Sequence, residues 1–296
     1  MLPPDMKISD YDFLDFGSSD GASLAWGKEE LGGKRGLGID SAPYKVEEAN
    51  KRGHESICAS LLDIDLPDDC VDFVIISHLL EHLPGYDESL KVVETAMRVA
   101  RDFVCVRGPW FDADDYLRDL GFKFYWSDWT NHTFHLTTSL LEQMLVELDA
   151  SDYTMMGKER ISSTLHHTIH PLSAPNNQMG YKKEHGYRAS FEFPRPLFRD
   201  MVCIVSLRDF ERKEEVLNFT DGLEHLEDLV DDEHPHGAMY SMQDRIDGLN
   251  TIVNSMVELY VAKHEENETT YGRLQVQSAE AKKLYDLLKE ERAMRV

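Results

Sequence analysis

Basic residues are scarce in this chain: 31 lysines and arginines stand against 55 aspartates and glutamates, a formal charge of −24 over 296 residues. No cluster of lysine and arginine offsets that deficit, so a polyanion would be repelled and no nucleic-acid partner is expected. Cysteine is sparse too. Cys58, Cys70, Cys105 and Cys203 follow no metal or disulfide spacing. That excludes a disulfide scaffold and reads as buried, reduced thiols in a cytoplasmic protein. No apolar stretch approaches the roughly 18 residues a spanning helix needs, so no membrane partner is expected. Met1-Leu-Pro-Pro-Asp5 lacks the basic-then-apolar order of a signal peptide. Hydrophobic residues make up 42% and charged residues 29%, which suits a soluble protein with one large domain and an appendage.

What is present begins early. The apolar run Tyr11-Asp-Phe-Leu-Asp15-Phe16 turns through Gly17-Ser-Ser-Asp-Gly21 into a helical pattern from Ala22. Strand, tight turn and helix start in that order are how α/β proteins build a nucleotide pocket, with glycines freeing the backbone and amides facing the ligand. Gly36-Leu-Gly-Ile-Asp40 follows as a second strand ending in a carboxylate, the residue type that accepts from ribose hydroxyls. A helix is expected over 43–51, a third strand over 55–59 and a doubly buried strand over 71–76. A helix over 87–100 and a fifth strand over 103–106 complete the alternation. This pattern predicts an α/β fold with a mostly parallel, doubly wound sheet and ligands at the carboxyl ends of its strands.

These segments, with Ile57-Cys-Ala-Ser60-Leu61 and Ser77-His78-Leu-Leu-Glu81-His82-Leu-Pro84, resemble a class I S-adenosylmethionine-dependent methyltransferase over roughly residues 8–210. The resemblance implies a Rossmann-like, seven-stranded sheet with helices on both faces, closed by a pair over 153–161 and 201–208. It also implies S-adenosylmethionine as cofactor and S-adenosylhomocysteine as product. Carried over by position, Asp15 faces the methionine amino group, and Gly17, Ser18, Ser19 and Gly21 line the methionine. Asp40 holds the ribose, with Ser41 beside the adenine. Ser60 stands where many relatives have an adenine-binding aspartate, so that contact falls to Ser60 or the Leu61 amide. Ser77 and His78 lie beneath the reacting methyl.

Methyl transfer from a sulfonium is an in-line displacement, and a hydroxyl acceptor must also lose a proton. His82 and His135 are the candidate bases. Residues 110–137 and 162–198 interrupt the alternation and are expected to form a substrate lid, with Trp110, Trp126, His132, His166, His167 and His170 as candidate acceptor contacts. An aromatic, histidine-rich flap with few fixed charges suits a small or saccharide-like acceptor. Written as H-x-x-E-H, residues 78–82 also spell the inverted zinc-protease motif. That motif needs a sustained helix, which Pro84-Gly85 forbid. A second, weaker resemblance is to plant small-RNA 2′-O-methyltransferases, which place Glu-x-x-Glu-His and a later histidine around magnesium. Here His78 replaces the first glutamate, and His132 or His135 would be the later ligand. A divalent metal is therefore not favoured and no metal ligands are assigned.

Residues 211–237 read as an acidic linker, with ten acidic and two basic residues between Glu211 and Glu233. Beyond it Met242, Ile246, Leu249, Val253, Met256 and Tyr260 recur at steps of four and three, and Leu274, Ala281, Leu284 and Leu288 continue the seam weakly. Residues 238–296 are thus expected to form a helical coiled coil that makes a homo-oligomer. The rival is a helix packed on its own domain. A cofactor-binding scaffold without catalysis is the alternative function.

Overall fold

The computed structural model describes residues 6–217, 223–226, 242–264 and 282–283. In chain order it forms β1 (Phe13–Phe16), α1 (Ala22–Glu29), β2 (Gly36–Asp40), α2 (Pro43–Lys51), β3 (Glu55–Cys58), β4 (Val71–Ser77), α3 (Tyr86–Val99) and β5 (Ala100–Pro109). Then come α4 (Asp114–Asp119), β6 (Phe122–Phe124), α5 (Thr138–Glu147), β7 (Tyr153–Ser163), β8 (Ile169–Pro171) and β9 (Glu192–Ser206). The last elements are α6 (Lys213–Leu217), β10 (Leu223–His225) and α7 (Met242–His264).

The main sheet has the order β10-β7-β9-β5-β4-β1-β2-β3. Strands β1 to β5 are parallel, and β9 runs antiparallel against β5. The order reverses between β1 and β4, where β1 leads outward through β2 to β3, and this is where α/β sheets bind nucleotides. Among the described residues the main sheet has eight strands rather than the expected seven. The extra one, β10, lies in the acidic stretch read as a solvated linker, where Glu224 and its neighbours pair with β7 through the backbone. A strand of three residues is too short for periodicity to reveal.

Apolar side chains explain the central strands. Every β1 residue is buried, and so is most of β4, because both faces are covered. Phe13, Phe73 and Phe103 sit at paired positions on β1, β4 and β5, and their rings stack at 4.8 and 4.7 Å. Phe210 extends the stack at 5.2 Å beside a cavity of about 320 Å³ at the amino end of the strands, away from the ligand edge.

The chain divides into two compact units, one of residues 1–112, 129–160 and 198–238, the other of 113–128, 161–197 and 239–296. In the second unit β6 and β8 form a two-stranded antiparallel sheet. Residues 162–198 are partly interior despite their polar composition, since Thr164, Thr168, His170, His185 and Ala189 are buried. Helix α7 also belongs to this unit: Leu249 and Ile252 are buried, Arg245 pairs with Asp119, and a Cβ on Gly248 would come within 2.8 Å of Leu120. The turn of α7 around Gly248, which includes the seam residue Leu249, therefore packs on this unit. The seam's continuation at Leu274, Ala281, Leu284 and Leu288 lies outside the described residues. Truncating Ile252 to alanine should cost about 2–4 kcal/mol in chemical denaturation, as for a buried aliphatic. Among the described residues no helix is long and apolar enough to cross a membrane.

Candidate cofactor and acceptor site

Strand β1 delivers Asp15 to the ligand edge with no exposed surface. Ser23 Oγ, from the second residue of α1, donates to Asp15 Oδ2 at 2.5 Å, while Oδ1 is buried without a hydrogen-bond partner. Burial pushes the carboxyl up to about 7; the Ser23 bond opposes this and the nearby Asp40 charge adds to it. A desolvated carboxylate with one unmatched oxygen is poised for a cation, such as an ammonium.

The turn after β1 behaves differently from the sequence expectation. The amides of Gly17 and Ser18 both donate to the Ile39 carbonyl, Gly21 N–H donates to Ser18 O, and Ser19 N–H donates to Asp40 Oδ2 at 2.9 Å. These four amides stabilise the turn, so they do not face a ligand. Ser18 is buried with its hydroxyl 3.2 Å from that of Ser56, so it points into the protein. Gly17 and Gly21 are required for local reasons. Their φ values are +76° and +91°, and an added Cβ would meet Leu79 at Gly17 and the His54 ring at Gly21. Replacing Gly21 by alanine should destabilise by about 1–3 kcal/mol. Adding His54→Ala should restore only part of that in a thermal melt, because the backbone strain remains.

Asp40, half-buried at the end of β2, accepts from Ser19 N–H through Oδ2 and from Ala42 N–H through Oδ1 at 2.8 Å. Each oxygen retains a lone pair, the arrangement needed to receive two vicinal hydroxyls. Ser41 and Ser60 are exposed and Leu61 half-buried on the same edge, around a β3 exit held by Ala59 N–H on Asp40 O.

At the carboxyl end of β4, Ser77 is half-buried and His78 adopts φ +51°. Left-handed backbone at a non-glycine residue is strained and gathers at functional sites. His78 Nδ1 is 3.4 Å from buried Glu81, and its Nε2 is 3.9 Å from Asp200. Asp200, on β9, is itself buried and receives Arg107 Nη2 at 2.5 Å. The next residues, Leu80–His82, form only a three-residue 3-10 turn. His78 and His82 thus share no helical face, and the zinc-protease geometry does not form. The loop 129–135 closes over this turn: Thr133 and Phe134 N–H donate to Glu81 O, and Asn131 O lies 2.8 Å from His82 Nδ1. His132 meets the His82 ring edge-on at 4.9 Å, and His135 lies flat on Phe111 at 4.4 Å.

Residues 14–102 match the family described as a methyltransferase domain. This segment is a class I S-adenosylmethionine-dependent methyltransferase domain. Solved structures similar to the chain include an S-adenosylmethionine-dependent methyltransferase from Archaeoglobus fulgidus, 18% identical, covering 66% of this chain and 85% of that one, with a TM-score of 0.47. Another, from Thermotoga maritima, is described as a possible histamine N-methyltransferase; it is 13% identical, covers 70% of this chain and 84% of its own, and has a TM-score of 0.44. No curated protein matches the chain.

The methyltransferase domain family matched by residues 14–102 implies S-adenosylmethionine as the cofactor. The residues present fit it: the unmatched oxygen of Asp15 suits the methionine ammonium, and the Asp40 lone pairs suit the ribose. Of the expected acceptor contacts, Trp110, His132 and both candidate bases, His82 and His135, belong to the same unit as the cofactor residues. Trp110 is buried edge-on against Phe198. Trp126, His166, His167 and His170 belong to the other unit. There Trp126 is buried and stacked on Phe124, and His170 has no exposed surface. Burial and the neighbouring His185 and Arg188 charges push His170 down to about 4, so it is a neutral interior group at neutral pH. Arg107, Asp200 and Ser23 are not singled out by the sequence, whereas Glu81 appears there only as part of the 78–82 motif. A partial signal for Arg107 is its position directly after the apolar run Phe103–Val106, at the end of the strand expected there.

Proposed function

We propose that this protein transfers the methyl group of S-adenosylmethionine to a hydroxyl of a small-molecule or saccharide-like acceptor. The observation that carries the reading is Asp15, a fully buried carboxylate with an unmatched oxygen at the switch point of the sheet. The imidazoles of His82, at the β4 exit, and of His135, on Phe111, support a hydroxyl acceptor, because either can take the proton as the oxygen attacks the methyl carbon and the carbon–sulfur bond breaks. The His135 ring held flat on Phe111 supports a sugar-like partner, whose C–H face packs on such planes. The activity is assigned to residues 1–210. Self-association through the C-terminal helix belongs to the same reading, supported by Val257 and Val261, which lie exposed one turn apart on α7. The test is incubation with methyl-labelled S-adenosylmethionine and a panel of glycans and glycan precursors. Label recovered as an O-methyl ether supports the reading, and label on nitrogen, or cofactor binding without turnover, contradicts it.

A further inference from the structure

We propose that the cavity at the amino end of the sheet binds a small, flat aromatic cation, at a site separate from the cofactor edge. The space measures about 320 Å³. That is the lower end of the range of about 300–1,000 Å³ that small-molecule pockets occupy, so the ligand is small. Every residue that lines it belongs to the first of the two units. Asp12, just before β1, Asp72 near the start of β4 and Asp102 near the start of β5 stand at its wall. Asp15 and Ser77 lie toward the opposite ends of β1 and β4, so a ligand here leaves the adenosyl site free.

Two kinds of surface meet in this space. Phe73 and Phe103 line it, and both stand inside the stacked row of rings, with Phe13 on one side and Phe210 on the other. Their faces are therefore covered by neighbouring rings, and their edges are what the cavity meets. Ring edges carry partial positive charge and favour the face of another aromatic ring, which selects a flat, unsaturated body. Val216 on α6 and Leu31, both buried, add apolar wall. Arg212 closes one side, donating to Leu31 O at 3.1 Å and to Glu215 at 2.8 Å, so its charge is already matched.

The remaining lining charge sets the sign of the ligand. Asp12, Asp72, Asp102 and Glu211 stand against Lys34 and the matched Arg212. Each aspartate spends a single oxygen on protein donors. Asp12 Oδ2 accepts from the Lys34 and Arg35 amides at 2.8 Å. Asp72 Oδ1 accepts from Arg101 Nη2 at 2.5 Å, and Asp102 Oδ1 from Arg208 Nε at 2.7 Å. No hydrogen bond from the described residues reaches the other oxygen of any of the three. Acceptors of one sign around ring edges suit an amidinium or ammonium carried on an aromatic ring, and they reject a carboxylate.

Benzamidine is the probe, with benzamide as a neutral counterpart of the same shape and benzoate as an anionic one. Each is titrated into the full chain by ligand-observed NMR, with and without S-adenosylhomocysteine, at about 0.15 M salt to screen the acidic surface. Saturable binding of benzamidine is expected at about millimolar strength, as for a fragment of its size, and about tenfold or more tighter than benzamide. Benzoate should not bind. Asp72→Asn and Asp102→Asn should each weaken benzamidine about fivefold or more, with a thermal melt reporting that the variants fold. Glu94→Gln, at an exposed position on α3, should leave it unchanged. Equal affinity for benzamidine and benzamide, unsaturable binding, indifference to both aspartate variants, or displacement by S-adenosylhomocysteine would each overturn the proposal. If benzamidine binds and S-adenosylhomocysteine does not, the methyl-transfer reading falls and this site stands.

Discussion

Asp15→Asn is expected to weaken S-adenosylhomocysteine binding by about 100- to 1,000-fold while making the unliganded protein more stable. The first effect follows from removing one partner of a buried charge pair, which costs about 3–5 kcal/mol. The second follows from linkage. The native carboxyl titrates at about 7 because it is buried, against 3.8 for the ordinary group. Between those values the native state holds a proton that the unfolded chain has lost. Stability from this group therefore falls as pH rises from about 4 to 7, by at most about 1.4 kcal/mol per pH unit. Asparagine keeps an acceptor for Ser23 and carries no charge, so the advantage of the variant should widen between pH 5 and pH 8 in parallel denaturant titrations. In the wild type, ligand affinity should rise over the same interval as Asp15 ionises, then level off. In Asp15→Asn that rise should be missing. A variant that is less stable than wild type at pH 8, or that retains the pH-dependent affinity, would rule out Asp15 as the buried anion that holds the methionine ammonium.

Asp40→Ala should have the second-largest effect, a loss of about 100-fold or more in the same affinity. Two hydrogen bonds to a charged acceptor, each worth about 1.5–3 kcal/mol, leave with the carboxylate. The change also releases Ser19 N–H and Ala42 N–H, so the β1 turn loosens as the ribose contact goes. Asp40→Asn separates the two contributions. It can still accept from one amide, and it should recover melting temperature without recovering affinity. Isothermal titration and a thermal melt of both variants check this. Equal affinity in wild type and Asp40→Ala would show that the ribose binds elsewhere.

Asp15 and Asp40 were legible because strands put a terminal residue in a predictable place: an apolar run buried on both faces must end at the edge where the ligand binds. The turn between them was legible only as a shape. Gly17 and Gly21 do take the left-handed conformations the spacing implies, yet the amides they free are consumed by Ile39, Ser18 and Asp40. Side-chain direction within a turn depends on such bonds, so Ser18 could not be separated from Ser19 by its neighbours in sequence. Asp200 shows a different limit. It reaches Arg107 across 93 residues, and only the antiparallel β5–β9 register, with Asp200 opposite Pro109 and Arg107 opposite Val202, makes them diagonal neighbours. The histidines divide in the same way. His82 was legible from a local motif, while the burial of His170 is set by packing among His185, Arg188 and Tyr181. The spacing on α7 predicts one apolar stripe, but a stripe does not name its partner; Leu249 of that stripe is buried, and so is Ile252 beside it.

The most direct measurement is calorimetric titration of the full chain with S-adenosylhomocysteine at pH 7.5, run beside Asp15→Asn and Asp40→Ala. One saturable site in the wild type, weakened by both substitutions, is the expected result. No binding to the wild type, or equal binding to all three proteins, would contradict an adenosyl pocket gripped by these two carboxylates.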